Sequence, residues 1–346
     1  MEGILDGYPH LLLERNEIYF YTKGYRKIVY IERKVFMAKL TAKEINSVKG
    51  RGFLHNRGTD TFSGRIVSKN GVMTAEQLIK VAQCAEKYGA GRVCYTSRLC
   101  VEMPGIKLEN IDNACEMLAE VGLSFGGTGA KVRPITACKG TTCVYGNTDT
   151  QALALRLHEV FYEGWHGIVL PHKFKICVGG CPNSCMKPSL NDFGIEAHRI
   201  PVYDAESCKA CQKCVVAEKC PMKAAAFENG KLAVDKSVCS DCGVCTRSCP
   251  FSAVATSEEP VFAIYVGGMW GKRTRTGTRL SRYYAADELE AVLEKTLLWY
   301  RKNGYAKERL GAAIDRIGVE RFEKDIAGDS LILEKEAILA ADIMTR

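Results

Sequence analysis

Apolar and polar residues alternate along most of the chain with the periods of helices and strands. After Thr74 the apolar residues recur every three or four positions, and Thr74 and Gln77 have the spacing of a capping box. We therefore expect a helix that begins after Thr74 and ends near Gly89, because glycine commonly follows a last helical turn. Residues 93–103 then have the composition of a strand, and a second helix is expected to stop at Gly122.

The remainder of the chain continues this alternation of helix and strand. Residues 173–178 alternate strictly, so Lys173, Lys175 and Cys177 are expected to share one face of a strand. The mixed order of elements predicts an α+β fold. The other expected elements are a strand at 131–136, a helix that ends at Gly164, a strand at 261–266, and helices around 289–300 and 314–322.

Composition and charge narrow the class of protein. The chain has 346 residues, 47% of them hydrophobic and 25% charged, which is typical of globular proteins of about two domains. We expect no membrane span, because no run of about 18 apolar residues occurs. The first residues lack the order of a secretory signal, so a reducing cytoplasmic location is expected, where 17 cysteines indicate metal or redox chemistry. A net charge of +8 is modest, and no nucleic-acid partner is expected.

Eight cysteines lie close together between Cys208 and Cys249. Two runs of three cysteines, spaced by two residues and followed by Cys-Pro, have the ligand pattern of bacterial ferredoxins with two 4Fe-4S clusters, although Cys220 comes two residues later than usual. Zinc sites use paired cysteines and are the less favoured alternative. The fourth cysteine of each run ligates the other cluster in this pattern. We therefore predict that each of two cysteine sets ligates one cluster. The first cysteine set is Cys208, Cys211, Cys214 and Cys249, and the second cysteine set is Cys220, Cys239, Cys242 and Cys245.

A third cysteine set lies outside this window and consists of Cys138, Cys143, Cys181 and Cys185. Its motifs, Cys-x4-Cys and Gly-Cys-Pro-Asn-Ser-Cys, resemble those of sirohaem-containing sulfite and nitrite reductases, although the first pair is one residue tighter than in the assimilatory enzymes. The resemblance is closest to small anaerobic and dissimilatory-like subunits that contain an inserted ferredoxin domain. It implies that this set holds a third 4Fe-4S cluster and that Cys185 is also the axial ligand of the sirohaem iron.

Five cysteines remain outside the three sets. Cys84, Cys94, Cys100 and Cys115 lie within helix or strand patterns, and we expect them to pack as small apolar residues. Cys177 lies four residues before Cys181. Packing is the preferred interpretation for Cys177 as well, and ligation is the alternative.

An anion held at an iron requires fixed positive charges. The resemblance implies that four basic residues surround sulfite, namely Arg65, Arg133, Lys173 and Lys175. Each of them taken alone would be interpreted as surface charge. Because sirohaem carries several carboxylates, basic residues near the glycine-rich stretches 126–129 and 267–271 are further candidates. The residues expected to bind sirohaem are Arg51, Arg57, Arg98, Lys139, Lys272, Arg273 and Arg275.

The resemblance also predicts the domain organisation. Residues 37–125 would form a ferredoxin-like half-domain, residues 126–200 and 258–330 the sirohaem and 4Fe-4S domain, and residues 201–257 an inserted two-cluster ferredoxin domain. Residues 1–36 fit this plan poorly and are expected to be either an upstream extension, with a natural start near Met37, or an edge hairpin. The resembling enzymes combine two half-domains, so we expect a homodimer or a heterodimer of related chains.

The leading functional hypothesis is the six-electron reduction of sulfite to sulfide at sirohaem, with electrons relayed by three 4Fe-4S clusters. Nitrite is the alternative substrate. A non-catalytic electron carrier without haem is the rival from another class, and an iron-sulfur sensor of nucleic acid is less favoured. The sequence contains no flavin or nicotinamide motif, so the expected electron donor is a ferredoxin or a partner reductase subunit.

Overall fold

The computed structural model describes residues 17–22, 25–30, 40–228, 230–256 and 258–346. The chain divides into two compact units, residues 1–41 and residues 42–346. In the first unit, strands β1 (Glu17–Thr22) and β2 (Tyr25–Tyr30) pair as an antiparallel hairpin. A hairpin is therefore present within residues 1–36, whereas the expected start near Met37 lies outside the described residues.

The second unit begins with a four-stranded antiparallel sheet. Its elements are α1 (Ala42–Lys49), β3 (Phe53–His55), β4 (Thr61–Ile66), α2 (Ala75–Tyr88), β5 (Cys94–Tyr95), β6 (Val101–Lys107) and α3 (Ile111–Ala119). The strand order is β3-β4-β6-β5. The predicted capping box is confirmed, because the Thr74 hydroxyl accepts from the Gln77 amide at 3.1 Å and the Gln77 side chain accepts from the Thr74 amide at 3.0 Å. The helix ends at Gly89, as predicted.

The single strand predicted over residues 93–103 is wrong, because a turn separates β5 from β6. The Thr96 amide donates to the Cys100 carbonyl at 2.8 Å, and Leu99 within the turn has a φ of +60°. Cys94 is exposed, contrary to the expected packing, whereas Cys84 and Cys100 are buried and Cys115 is half-buried. The interruption brings Arg98 onto the turn and not onto a strand.

The chain then enters a second sheet. The next elements are β7 (Thr136–Ala137), α4 (Thr150–Leu157), β8 (Ile176–Gly179) and β9 (Phe193–His198). Both β7 with β8 and β8 with β9 pair in parallel. The strand predicted at 131–136 is reduced to β7 and one bridge between Val132 and Phe174. Helix α4 continues as a π-helical turn, His158–Glu163, and stops at Gly164 as predicted.

A small insertion follows β9. It contains β10 (Pro201–Tyr203), α5 (Val215–Lys219), β11 (Ala225–Glu228), β12 (Lys231–Val234) and β13 (Val254–Thr256). Strand β10 pairs with β13, and β11 pairs with β12, both antiparallel. Four buried residues, Val216, Ala225, Leu232 and Val254, form the insertion's own apolar cluster, and cysteines pack against it. The core is therefore small and surrounded by thiols.

The last elements complete the second sheet and cover it with helices. They are β14 (Val261–Val266), β15 (Thr278–Arg279), α6 (Leu289–Asn303), α7 (Leu310–Ile317), α8 (Val319–Ala327), α9 (Ser330–Leu333) and α10 (Lys335–Ala340). The strand order is β15-β14-β9-β8-β7. The predicted strand at 261–266 and the predicted helix around 289–300 are confirmed, whereas the segment 314–322 is helical but divided between α7 and α8 at Gly318. Among the described residues, no helix combines the length and apolar character needed to cross a membrane.

Packing of α6 against α8 stabilises this helical layer. Trp299 and Phe322 are fully buried and meet edge to face, with ring centroids 4.8 Å apart. We expect Phe322→Ala to lower the free energy of unfolding by about 3–5 kcal/mol, because it removes this contact and leaves a cavity. Urea denaturation followed by circular dichroism measures the loss.

The matched control is Leu333→Ala in α9, because Leu333 is 86% exposed. We expect that truncation to cost less than about 0.5 kcal/mol. Equal losses for the two variants would contradict the packing argument.

Candidate active site

The two parallel strands β7 and β8 carry candidate residues at both ends. Arg133 precedes β7, and Lys173 and Lys175 precede β8, whereas Cys138 follows β7 and Cys181 follows β8. Backbone hydrogen bonds of 2.8 and 3.1 Å hold the segments before and after β7 in register with the β8 segment. Basic residues therefore lie at the amino ends of this strand pair, and cysteines lie at its carboxyl ends.

A cleft of about 360 Å³ collects basic side chains from both sheets. None of its lining residues is acidic, and Thr96, Ser97 and Thr128 add hydroxyl groups. The basic lining residues are Lys49, Arg65, Arg98, Arg133, Lys173 and Lys175. All four residues predicted to bind the anion thus meet in one cleft. Arg98, predicted for sirohaem, joins them, and Lys49 was not predicted.

The arginines of the cleft are held by the protein's own acceptors. Arg65 Nε donates to Glu102 Oε1 at 2.9 Å, and Arg133 Nη2 donates to the Gly129 carbonyl at 2.9 Å. Arg98 Nη2 donates to the carbonyls of Pro134 at 2.6 Å and Ile176 at 2.9 Å. These bonds fix the guanidinium planes on rigid segments.

Two donors in the cleft stay unmatched. The Nε atoms of Arg98 and Arg133 are buried and have no hydrogen-bond partner among the described residues. A buried donor without an acceptor costs free energy, so a bound carboxylate or oxyanion would be favoured at these atoms.

Burial and mutual repulsion alter the acidity of the cleft's cations. Burial, reinforced by Arg98 and Arg309, lowers the pKa of Lys175 to about 8. Burial and Arg309 likewise lower the pKa of Lys173. Burial and Arg65 lower the pKa of Arg133 to about 10. Lys175 is therefore the cleft residue best suited to exchange a proton near neutral pH.

A buried ion pair that sequence reasoning missed supports Lys175. Asp192 accepts from the Lys175 amide at 2.9 Å and from Arg309 Nη2 at 2.8 Å. The side chain of Asp192 is 1% exposed and that of Arg309 is 12% exposed. The two residues lie 117 positions apart, so no local motif could have indicated the pair.

The third cysteine set comes together at the carboxyl ends of the strands. Burial and the neighbouring thiols of Cys138, Cys185 and Cys143 raise the pKa of Cys181. The Gly180 amide donates to Cys138 Sγ at 3.2 Å. A Cβ atom on Gly180 would lie only 3.0 Å from the Thr150 side chain and 3.4 Å from that sulfur, so glycine permits this close approach.

Cys185 is exposed and lies in the loop that joins β8 to β9. Because β8 and β9 are parallel, this loop must return from the cysteine end to the cation end of the sheet. Cys181 and Cys185 therefore both lie on this return path, and Cys185 is the more exposed of the two.

The cysteines of the insertion surround two separate cavities. One is lined by Cys208, Cys211, Cys214 and Cys249, and the other by Cys220, Cys239, Cys242 and Cys245. These groups match the predicted first and second sets. Within the described part of the chain, no three Cys, His, Asp or Glu residues converge as one metal ion would need.

Cys177 is part of the core of the second sheet. It is fully buried, and its thiol donates to the Met186 carbonyl at 3.5 Å. Burial raises the pKa of Cys177 to about 11, so it stays protonated. The expected lysine face ends at Lys175, because β8 is covered on both sides from Ile176 onward.

The structure does not gather most of the basic residues predicted to bind sirohaem. Arg51 forms an ion pair with Asp112, and Arg275 is held by Asp315 and by backbone carbonyls. Neither lines the cation cleft. The remaining candidates are exposed and lie outside the cleft lining, namely Arg57, Lys139, Lys272 and Arg273.

A larger cavity, of about 580 Å³, lies beside α4 and suits an anion poorly. Its one lysine, Lys69, is paired at 3.1 Å with Glu163, an acidic residue that also lines the cavity, as do His158 and His166. Burial lowers the pKa of the His158 in its wall to about 4, so this histidine is neutral. The cation cleft is therefore the candidate anion site.

Two family models match the parts of the chain that build this arrangement. Residues 55–121 match the nitrite/sulfite reductase ferredoxin-like half domain. Residues 128–331, more than half of the chain, match the nitrite and sulphite reductase 4Fe-4S domain. The chain belongs to the nitrite and sulphite reductase family.

Relatives of known sequence and structure agree with this family. The chain is 32% identical to the coenzyme F420-dependent sulfite reductase of Methanocaldococcus jannaschii, over 80% of this chain and 44% of that protein. It is 30% identical to a subunit of the anaerobic sulfite reductase of Salmonella typhimurium, over 83% of this chain and 88% of that relative. The crystal structure of dissimilatory sulfite reductase I shares the fold, with a TM-score of 0.64 and 23% identity over 77% of this chain and 69% of that chain.

The residues present fit the groups that the nitrite and sulphite reductase family implies, an iron-sulfur cluster and sirohaem. Four grouped thiols are the donors that a 4Fe-4S cluster requires. The unmatched Nε atoms of Arg98 and Arg133 suit a carboxylate-rich tetrapyrrole or its anionic substrate. Cys185 is exposed, so its thiol is accessible to a bound group.

The acidity of Lys175 predicts how anion binding depends on pH. Its lowered pKa of about 8 means that the ammonium is charged below this pH and neutral above it. We expect sulfate binding to weaken by about ten- to hundredfold as the pH rises through this value, because a charged hydrogen bond is lost. Calorimetric titration at several pH values measures the affinity for sulfate. Sulfate is the probe because it keeps its double charge throughout this pH range.

The matched variant is Lys175→Arg, which stays charged and should abolish the weakening. Lys175→Met should bind weakly at every pH. An affinity of the unaltered chain that stays constant between about pH 7 and pH 9 would contradict the assignment.

Proposed function

We propose that the chain reduces sulfite to sulfide by six electrons, as a sirohaem and iron-sulfur enzyme. The observation that carries this proposal is the convergence of Arg65, Arg133, Lys173 and Lys175 on one cleft, at the opposite end of the strand pair from grouped cysteines. The names of the relatives, sulfite reductases, support the same substrate.

Four of the cleft's basic residues have a part in this proposal. Sirohaem, when bound, supplies the iron that transfers electrons to the substrate. Arg65 and Arg133 stabilise the charge of the oxyanion, and their bonds to protein acceptors hold them in position. Lys175 Nζ donates a proton to an oxygen that leaves as water, since its pKa of about 8 is close to neutral pH. Lys173 adds a second ammonium beside it.

Sulfite is favoured over nitrite by the charge of the cleft. Six basic side chains and no acidic one line it. A doubly charged anion gains more from such a cleft than a singly charged anion does. Nitrite stays the alternative substrate, and a haem-free electron carrier stays the alternative function.

We also propose three 4Fe-4S clusters, one for each cysteine set, with residues 201–257 as the electron-transfer domain between residues 126–200 and 258–330. Residues 37–125 would be the ferredoxin-like half-domain. A ferredoxin or partner reductase subunit would supply the electrons, in the cytoplasm. Because each family model matches the chain once, we propose that a second copy or a related chain completes the assembly.

Substrate and cofactor are tested together on anaerobically purified protein. We expect an extractable tetrapyrrole and a higher kcat/KM for sulfite than for nitrite with reduced methyl viologen as donor. Lys173→Gln should lower kcat/KM for sulfite by about ten- to hundredfold, through loss of a charged hydrogen bond. The control is Lys324→Gln on the exposed face of α8, which should keep full activity. Iron and sulfide without any tetrapyrrole would favour the electron carrier instead.

The crosswise ligand sets are tested with paired substitutions. If Cys211 and Cys249 serve one cluster, Cys211→Ser with Cys249→Ser should remove about four of about twelve iron atoms. Cys211→Ser with Cys220→Ser should remove about eight, because it damages two clusters. Iron analysis of the two double variants measures the difference, and the reverse order of losses would indicate that each run ligates its own cluster.

A further inference from the structure

The insertion contacts the rest of the second unit through the loop of its second cysteine set. The Arg199 amide donates to the Asp241 carbonyl at 2.8 Å, and Arg199 forms a bridge with Cys242. His198 Nδ1 lies 3.1 Å from the Ser240 carbonyl, and the Tyr283 hydroxyl donates to Asp241 at 2.8 Å. The Cys239–Cys245 loop is therefore bound to β9 and to the segment before α6.

The loop of the first cysteine set has a different environment. The hydrogen bonds of Asp204, Glu206 and Ser207, which precede Cys208, stay within the insertion. The first set's cavity is lined by residues 203–254 alone. The second set is thus the one adjacent to the rest of the unit.

One cavity has walls from both the second and the third cysteine sets. It measures about 560 Å³, and Cys181 and Cys242 both line it, together with Tyr145, Asn183 and Arg247. No member of the first set lines it. The two sets therefore face each other across a common space at the junction of the insertion.

Asn147 connects these two sets by hydrogen bonds. Its backbone amide donates to the carbonyl of Gly180, the residue directly before Cys181, at 2.8 Å. Its side-chain Nδ2 donates to the Cys242 carbonyl at 3.4 Å, and its Oδ1 accepts from Arg247 at 3.2 Å. Asn147 is only 4% exposed, so water does not compete strongly for these groups.

Gly243 allows this contact. Its φ is +74°, and a Cβ atom there would lie 3.1 Å from Asn147 Oδ1 and 2.8 Å from the Arg199 side chain. A larger residue would therefore push the cysteine loop away from Asn147.

We propose that the second cysteine set is the immediate electron donor to the third set, that the first set lies farther upstream, and that Asn147 positions the two loops for this transfer. The proposal rests on the proposed function, since it presupposes a cluster at each set. The step is balanced, because one electron leaves the second site and one arrives at the third. The path from Cys181 through Gly180 and Asn147 to Cys242 follows covalent bonds except at two hydrogen bonds, one from the Asn147 amide to Gly180 and one from Asn147 Nδ2 to Cys242.

The order of the sets is tested by removing one cluster at a time and recording electron paramagnetic resonance spectra of the fully reduced chain. Two reduced clusters close together broaden each other's signals. We expect Cys239→Ser with Cys242→Ser to remove the broadening of the third cluster's signal, and Cys208→Ser with Cys211→Ser to leave it unchanged. The reverse pattern, or an unchanged signal in both variants, would overturn the order.

The number of clusters in the unaltered chain distinguishes a failure of this inference from a failure of the proposals on which it rests. Fewer than three clusters in the unaltered chain would refute the proposed cluster set on which this inference rests, whereas absence of a tetrapyrrole would refute the proposed sulfite reductase. Three clusters with the reverse pattern of broadening would refute only the order proposed for them.

The role of Asn147 is tested by Asn147→Ala. We expect several-fold slower appearance of the third cluster's reduced signal in freeze-quench experiments, with unchanged iron content and unchanged reduction of the insertion. The matched control is Asn303→Ala in α6, where the amide also donates to a backbone carbonyl, at 2.9 Å. An unchanged rate in Asn147→Ala, or equal slowing in both variants, would refute a positioning role.

Discussion

Parallel pairing of β7 with β8 is the constraint on which the candidate site depends. The two strands are short, and yet the residues before them are the basic side chains of the cleft while the residues after them are cysteines of the third set. Parallel strands place like ends together, so both groups assemble from segments about forty residues apart in the chain. One strand pair therefore sets the separation between the anion site and the cysteine site.

Collecting so many cations costs electrostatic free energy, and the protein offsets it only in part. Glu102 and backbone carbonyls bind Arg65 and Arg133, and the buried pair of Asp192 with Arg309 holds the Lys175 amide. Burial, together with the repulsion that is left, lowers the pKa values of both lysines. A cleft of this kind is complementary to a multiply charged anion, because binding relieves the repulsion.

The insertion is accommodated without disturbing the second sheet. His198 at the end of β9 is directly opposite Val261 at the start of β14, so the chain leaves and re-enters the sheet at adjacent positions. Such sites tolerate an added domain, because the flanking strands keep their pairing. Contacts of the Cys239–Cys245 loop with Arg199 and Asn147 then fix one side of the insertion on the sheet.

Local features of this protein could be predicted from its sequence, because they depend on neighbours in the chain. The helix after Thr74, β14 and the two groupings of ferredoxin-type cysteines follow from spacing. The family resemblance indicated Arg65, Arg133, Lys173 and Lys175, which meet in the cleft. Tertiary structure alone decided which of the other basic residues join them, since Arg98 enters through an unpredicted turn and Arg275 is engaged by Asp315. It also decided the contacts of Asp192 with Arg309 and of Asn147 with Cys242, because these join residues far apart in the chain, and only the folded sheet brings them within hydrogen-bonding distance.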